Sequence, residues 1–582
     1  MIPEVITAIE NERSKGKFSF LLTWNTNDRQ LCMEEKIYPS NLHFVLASHL
    51  SLQGFHVGLY SQGAGIRALD PPRSKAEGRN PFPNDIQAPL LSLTGLLQAP
   101  TQKKALIVQY ADLLAPASEG NVFLEKDQQG VLETLHRWGF DDSIRQSGNM
   151  IVLVSYEGAI HGLLTRSGAF TTIEVPLPNL EGRREMAELL STRTQRSSIY
   201  GRLAEGYGME EFARGSNGLR LNDIEALFRA KAGSEITRQD VQAIKSAAIH
   251  EMAGGLMEIV DPAEGFESVA GLDAAKAYFQ QLKWMFQHGS PAVPYGILLA
   301  GVPGVGKSKL CAALAKELDL PLLIMRNLYG PYVGQSEANL ERVLHVVDAM
   351  SPCVVVIEEI DQGIGQRGSG PSGDSGTSNR MSQRLWEALG SGKNRGRSLW
   401  IGTTNRPDIL DPALLDRFQV VVPFLHPTPS EVVVLLPVLA AQVQRVIEPG
   451  TDLKTIAALA NLQLPTVRAL CEIIAQAAQR ADYEHGDVGC PIPHRHLEAA
   501  ARDFKRTYDL LQHEYIALRC ISMVLFNSLL PWISEGRRRP DTPIPSYLDN
   551  IVDPASGLVD DVKLMARIHE LEDRLLRQRM RR

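Results

Sequence analysis

No C-x-x-C pair occurs among the six cysteines, Cys32, Cys311, Cys353, Cys471, Cys490 and Cys520. Their scatter argues against a disulfide framework or a zinc ribbon and fits a reducing compartment. A basic excess is also lacking: 60 Lys and Arg face 67 Asp and Glu, a net charge of −7. Binding a phosphate backbone needs a basic surface, so nucleic acid is not the expected partner. No apolar run reaches the roughly 18 residues of a membrane span. The nearest candidate, Ala517 to Ile533, is interrupted by Arg519 and Asn527 and reads as a buried helix. The N-terminus lacks the basic-then-apolar order of a signal peptide. A soluble, cytoplasmic protein without membrane insertion is expected.

What is present is ordinary globular sequence, 44% apolar and 22% charged. At about 150 residues per domain, its 582 residues suggest three or four domains. Strand-like runs at Phe18–Thr23, Phe55–Tyr60, Ala105–Tyr110 and Met150–Ser155 alternate with helical stretches, the pattern of a parallel sheet covered by helices. Helical spacing follows from 180 to 250. The same order then repeats from Phe266, so the expected fold is α/β with two tandem modules, each with a small helical lid. The expected bounds are 1–250, 251–427, 428–500 for the second lid, and 501–582 for a helical extension. In the last helix Leu564, Ile568, Leu571 and Leu575 make an apolar stripe that either docks on this chain or pairs with a partner helix.

The second module carries the chemistry. Gly301, Gly306, Lys307 and Ser308 fit G-x(4)-G-K-[ST] between an apolar strand and a helix. Such a loop, Val302, Pro303, Gly304, Val305 and Gly306, wraps phosphates with the backbone N–H groups of its residues other than Pro303, and the helix N-terminus adds partial positive charge. Lys307 reaches the β- and γ-phosphates of ATP, and Ser308 takes a Mg²⁺ position. The strand Cys353–Ile357 ends in Glu358 and Glu359. Phosphoryl transfer to water needs one carboxylate near the metal and one to orient the water; we assign Glu358 to the first and Glu359 to the second. Asn405 follows another strand and can bond the water or the γ-phosphate. Arg417 is either an arginine finger for a neighbouring subunit's nucleotide or a surface charge. The first module lacks a phosphate loop: Ser61–Gly65 has no Lys-Ser, and Gln109 and Tyr110 stand where acids could have been. It reads as a nucleotide-incompetent copy or as an unrelated α/β domain.

These segments resemble the AAA ATPases, in particular the protein-remodelling branch, from Phe266 to about Arg480. GVPGVGKS and VVVIEEID match the two nucleotide motifs, and GTTNRPDILDPALLDRF resembles the second region of homology. FESVAGL resembles the entry motif, which implies that Val269, Ala270 and Gly271 lie beside the adenine. GPYVGQSEANL resembles the first pore-loop segment, which places Tyr332 as the aromatic that grips a polypeptide in the central channel. The resemblance further implies a homo-oligomeric ring, a hexamer, with an unknown protein client. Arg468, in LPTVRAL, is either the lid residue for the γ-phosphate or a surface charge. The overall layout is similar to the Ycf-type AAA proteins of plastids and cyanobacteria, which would put an organellar member in the plastid stroma. The matching stretches there are Asp28-Arg29 and Asp374–Thr377. Three departures stand out: Glu358 where the family usually has Asp, Asp416 before a single finger Arg417, and Pro331 where Lys is common. The expectation is an ATP-hydrolysing remodeller. The alternatives are an ATP-dependent scaffold with little turnover and, with only Arg537–Arg539 and the basic tail (Arg577, Arg579, Arg581, Arg582) behind it, a nucleic-acid motor.

Overall fold

The computed structural model describes residues 3–33, 37–68, 87–100, 102–116, 126–156, 160–194, 199–288, 290–325, 335–362, 383–385, 387–389, 396–461, 464–534, 536–540 and 542–580. The chain divides into two units, residues 1–249 and 250–582.

The first unit is built on six strands: β1 (Ser19–Trp24), β2 (His56–Ser61), β3 (Gly65–Ala68), β4 (Lys104–Gln109), β5 (Met150–Val154) and β6 (Thr171–Val175). Their spatial order is β3-β2-β4-β5-β1-β6, and all neighbours are parallel except β3 against β2. Alternation along each strand feeds two cores, as a sheet covered on both faces requires. Phe20 and Leu22 enter one core with Val152 and α1 (Leu42–Leu52), while Leu21 enters the other with Ile151 and Trp138. A helical region from Leu180 to Met252 follows, with α2 (Leu221–Ala230) at its centre.

The second unit repeats the plan with β7 (Met257–Val260), β8 (Gly296–Gly301), β9 (Leu322–Met325), β10 (Cys353–Ile357), β11 (Ser398–Thr404) and β12 (Val420–Phe424). Its order is β7-β9-β10-β11-β8-β12, with β7 antiparallel. Set the antiparallel edge strands aside, and both sheets read second-third-fourth-first-fifth. Helix α3 (Asp273–Gln287) precedes the sheet's first parallel strand, and α4 (Lys307–Leu318) follows it.

The lid begins with α5 (Pro429–Gln442). Its start is fixed by sequence: Thr428 caps it, Pro429 occupies the first turn, and Glu431 completes a capping box. Leu436, Ile474 and Leu497 pack the lid core, in which α6 (Val467–His485) is the longest helix. The extension holds α7 (Leu510–Ser522) and α8 (Asp561–Met580). In α8 Leu564, Ile568 and Leu571 are buried. Arg567 pairs with Glu514 at 2.7 Å and Glu572 with Arg519 at 2.5 Å, so this stripe docks on its own chain. Among the described residues no helix is long and apolar enough to cross a membrane.

The sheet order corrects one expectation. Ser61–Gly65 is the hairpin turn joining β2 to its antiparallel edge partner β3, so it is not the counterpart of the phosphate loop. That counterpart follows β1, at Asn25–Asp28.

Candidate functional site

Strand β8 is buried along its whole length and ends where glycine is obligatory. A Cβ on Gly301 would come within 2.3 Å of the Phe424 carbonyl oxygen on β12. The chain then turns through Val302–Gly306, with Gly304 and Gly306 left-handed at φ +78° and +96°. Helix α4 opens at Lys307, so the unpaired N–H groups of its first turn face the loop. The Lys307 ammonium is buried and donates to the carbonyls of Gly301 (2.8 Å) and Val302 (3.0 Å) and to Asn405 Oδ1 (2.8 Å). Burial pulls its pKa down to about 8.

The acids arrive from β10. Five consecutive buried apolar residues make it an interior strand, and the chain emerges at Glu358. Ser308 Oγ donates to Glu358 Oε1 at 2.8 Å. Glu359 is left-handed at φ +48°, a conformation that costs a side chain of this size about 1–3 kcal/mol. It is held there by its own N–H donating to Thr403 Oγ1 (3.1 Å), and its carboxylate accepts from Asn405 Nδ2 (3.2 Å). The Asn405 amide therefore bridges Lys307 and Glu359. Asp361, buried behind it, accepts from Thr404 Oγ1 (2.8 Å) and the Asn405 N–H (3.3 Å). Thr403 and Asp361 were not singled out from the sequence. The signal was available: a second acid two residues after Glu359, and two hydroxyls directly before Asn405.

Beside the loop lies an apolar pocket of about 170 Å³ whose walls include Val269, Ala270, Gly271, Val305 and Gly306. Gly271 is left-handed at φ +70°, and Glu431 accepts from the Leu272 N–H (3.4 Å) and the Thr428 N–H (2.9 Å), tying this segment to the lid. At the start of α6 the Arg468 N–H donates to the Gly304 carbonyl at 3.0 Å, which brings the lid onto the phosphate loop. Pro303 and the Arg468 side chain are exposed. Arg417 is exposed in the turn before β12 and makes no ion pair among the described residues. The structure thus brings together Lys307, Ser308, Glu358, Glu359 and Asn405, with Val269–Gly271 and Arg468 on the rim, and leaves Arg417 apart. Tyr332 lies outside the described residues, as do Pro331 and Asp374–Thr377.

The donor chemistry fits a magnesium nucleotide. One hydroxyl and one carboxylate in contact suit a hard cation that keeps waters and phosphate oxygens as its other ligands. No cluster of three or more metal-ligating side chains occurs among the described residues, so these residues fit a shared Mg²⁺ rather than an all-protein cage.

In the first unit the same strand ends carry other residues. Asp112 accepts from the Tyr156 N–H at 3.2 Å, as Asp361 does from Asn405. Two residues before Asp112 stands Tyr110, left-handed at φ +54° like Glu359. Tyr110 and Tyr156 meet as rings, with centroids 4.6 Å apart, in place of the Glu359–Asn405 hydrogen bond. Gln109 takes the position of Glu358 and donates to Tyr156 Oη (2.8 Å). After β1 the buried Asp28 accepts from the N–H groups of Leu221 and Asn222, both at 3.0 Å, and so caps α2. Burial raises its pKa to about 6. Asp28 thus ties the start of α2, at the centre of the helical region, to the loop after β1.

Comparison with known proteins agrees with this division. Residues 297–425 match the model of the ATPase family associated with various cellular activities (AAA), and residues 10–176 match that of the AAA+ chaperone N-terminal Rossmann-like domain. A Cell division cycle protein 48 homolog of Archaeoglobus fulgidus is 28% identical over 347 residues, covering 53% of this chain and 45% of that protein. The AAA domain-containing protein ycf46 of Guillardia theta is 29% identical over 287 residues, 47% of this chain and 53% of its own. The peroxisomal ATPase pex6 of Schizosaccharomyces pombe is 34% identical over 196 residues, 32% of this chain and 20% of its own. The chain therefore spans about half the length, or less, of these relatives. The two matched segments and the two sheets of equal strand order agree: residues 297–425 are similar to the AAA ATPase module, and in sequence they follow a segment similar to the N-terminal Rossmann-like domain of AAA+ chaperones.

Proposed function

We propose that the protein hydrolyses ATP at the second unit's sheet edge and uses the cycle, as a homo-oligomeric ring, to remodel a protein client. The observation that carries this reading is the continuous chain Lys307–Asn405–Glu359 beside the Ser308–Glu358 pair. An amide shared by the phosphate-binding ammonium and the water-orienting carboxylate registers the two ends of the reaction against each other.

In this mechanism the N–H groups of the loop and of the first turn of α4 cradle the phosphates. Lys307 gives up its carbonyl partners for the β- and γ-oxygens. Ser308 and Glu358 would hold Mg²⁺, which would supply neutralisation of the charge that develops in phosphoryl transfer. Glu359 accepts a hydrogen bond from the attacking water, and Asn405 fixes its carboxylate for that contact. Arg468 reaches the γ-phosphate from the lid. Arg417, exposed and without an ion pair among the described residues, serves the nucleotide of an adjacent subunit in a hexamer, and Tyr332 grips the client. The nucleic-acid reading loses support, because Arg538 donates to the Trp532 carbonyl (3.3 Å) and Arg539 pairs with Asp273 (3.3 Å).

The test is steady-state ATPase of wild type beside Glu359→Gln, with oligomer mass measured with and without ATP. Turnover in wild type, its loss by about two to three orders of magnitude in the variant, and an ATP-dependent assembly retained by both would support the reading. ATP binding without turnover in either protein would leave an ATP-dependent scaffold.

A further inference from the structure

The pocket beside the phosphate loop has a wall that the AAA module does not supply. Pro531, Trp532 and Pro545, from the segment between α7 and α8, line the same cavity as Ala270 and Gly271. We propose that this C-terminal segment is the outer wall of the base pocket and sets affinity for the purine of the nucleotide. The proposal rests on the nucleotide reading given above.

Three attachments hold the wall in place. Trp532 is fully buried, and its indole N–H donates to the Gly557 carbonyl at 2.9 Å, which fixes the ring at the back of the segment. Arg539 pairs with Asp273 at the start of α3, next to the Val269–Leu272 segment that forms the opposite side of the pocket. The third attachment is a histidine pair. His426, itself a pocket residue in the linker between β12 and α5, lies 3.3 Å from His513 of α7 through its Nε2 and 3.2 Å from the Pro465 carbonyl through its Nδ1. The carbonyl can only accept, so His426 Nδ1 carries the proton and its Nε2 accepts from His513 Nδ1–H. Tyr508 stacks on His513 with ring centroids 4.2 Å apart and donates to the Leu464 carbonyl at 2.7 Å. The extension therefore grips the hinge of the lid and the entrance to α6, the elements that frame the pocket.

The chemistry of the wall is selective. Two proline rings and an indole offer apolar faces and no free donor: the prolines lack N–H groups, and the Trp532 N–H is already used. Such a surface contributes to binding a flat, weakly hydrated base and nothing to binding phosphates. Pro531 and Pro545 are half-buried, so trimming them opens the pocket without emptying a core.

The experiment compares wild type with a Pro531→Ala/Pro545→Ala double variant, using Mg-ATP and inorganic tripolyphosphate as separate probes in equilibrium binding. The expected result is ATP affinity weakened about tenfold and tripolyphosphate affinity unchanged. Unchanged ATP affinity, or an equal loss for both probes, would overturn the proposal. Failure of wild type to bind either probe would instead defeat the nucleotide reading itself. Should the double variant not fold, tryptophan emission of the wild type decides. ATP but not tripolyphosphate should change it, and the change should vanish in Trp532→Phe; a response that persists in that variant would refute the wall.

Discussion

Tyr110 and Glu359 are the same backbone position in two sheets of the same strand order. Each follows the third parallel strand, each is left-handed, at φ +54° and +48°, and each precedes by two residues a buried aspartate that accepts from the backbone N–H after the fourth strand. The strained turn is kept in both units, while the side chain differs. A carboxylate there can orient water; a phenol stacked on Tyr156 cannot.

The first prediction concerns stoichiometry. With Gln109 and Tyr110 in place of the acids and no Lys-Ser after β1, only the second unit should bind nucleotide. Equilibrium dialysis with Mg-ATP should saturate near one nucleotide per chain, and Lys307→Ala should abolish all of it. A second equivalent surviving in Lys307→Ala would assign a working site to the first unit.

Asn405 yields the second prediction. Its amide accepts from Lys307 and donates to Glu359, so Asn405→Ala frees both without removing either. Turnover should fall about 10²- to 10³-fold, as for loss of one preorganised polar group, with ATP affinity changed by less than about threefold. Single-turnover kinetics beside binding separates the two effects. A large affinity loss with unchanged kcat would make Asn405 a binding residue instead.

How much of this was legible in the sequence depends on the physics involved. The buried strands could be read because Cys353–Ile357 and Met150–Val154 are continuous β-branched and apolar runs between turn residues. The phosphate loop could be read because its glycines serve local backbone needs, two of them at positive φ. The counterpart loop in the first unit was sought at Ser61–Gly65, since glycines draw attention to a turn; only strand pairing reveals that this turn closes a hairpin. Asp361 and Thr403 carried a local signal as residues, but their contacts were hidden, as was the C-terminal wall. Each joins residues more than 40 positions apart, and no local periodicity encodes such a contact.

The third prediction follows from Lys307. Its pKa in the free protein is lowered to about 8 by burial. Phosphates favour the ammonium, so binding must raise that pKa. ATP affinity should therefore be flat below pH 8 and fall above it, by up to tenfold per unit. Titration calorimetry from pH 6.5 to 9.5 checks this. A wild-type affinity constant to pH 9.5 would contradict the buried ammonium.

The last prediction concerns Asp28 and the first unit. This carboxylate is wholly buried, and burial outweighs its hydrogen bonds to the N–H groups of Leu221, Asn222 and Arg29, raising its pKa from 3.8 to about 6. The folded chain therefore holds a proton that the unfolded chain releases between those values. The sign follows from linkage: the stabilising contribution is complete below about pH 4 and is lost as pH rises through 6. Over the full window it amounts to about 3 kcal/mol. In Asp28→Asn the amide cannot titrate, so the wild-type stability relative to this variant should grow as the pH is lowered from 7 to 4.5. Thermal unfolding of both full-length proteins across that range measures the difference. A gap that is constant with pH, or that narrows on acidification, would mean that Asp28 titrates near its ordinary value and that its hydrogen bonds to α2 outweigh the cost of its burial.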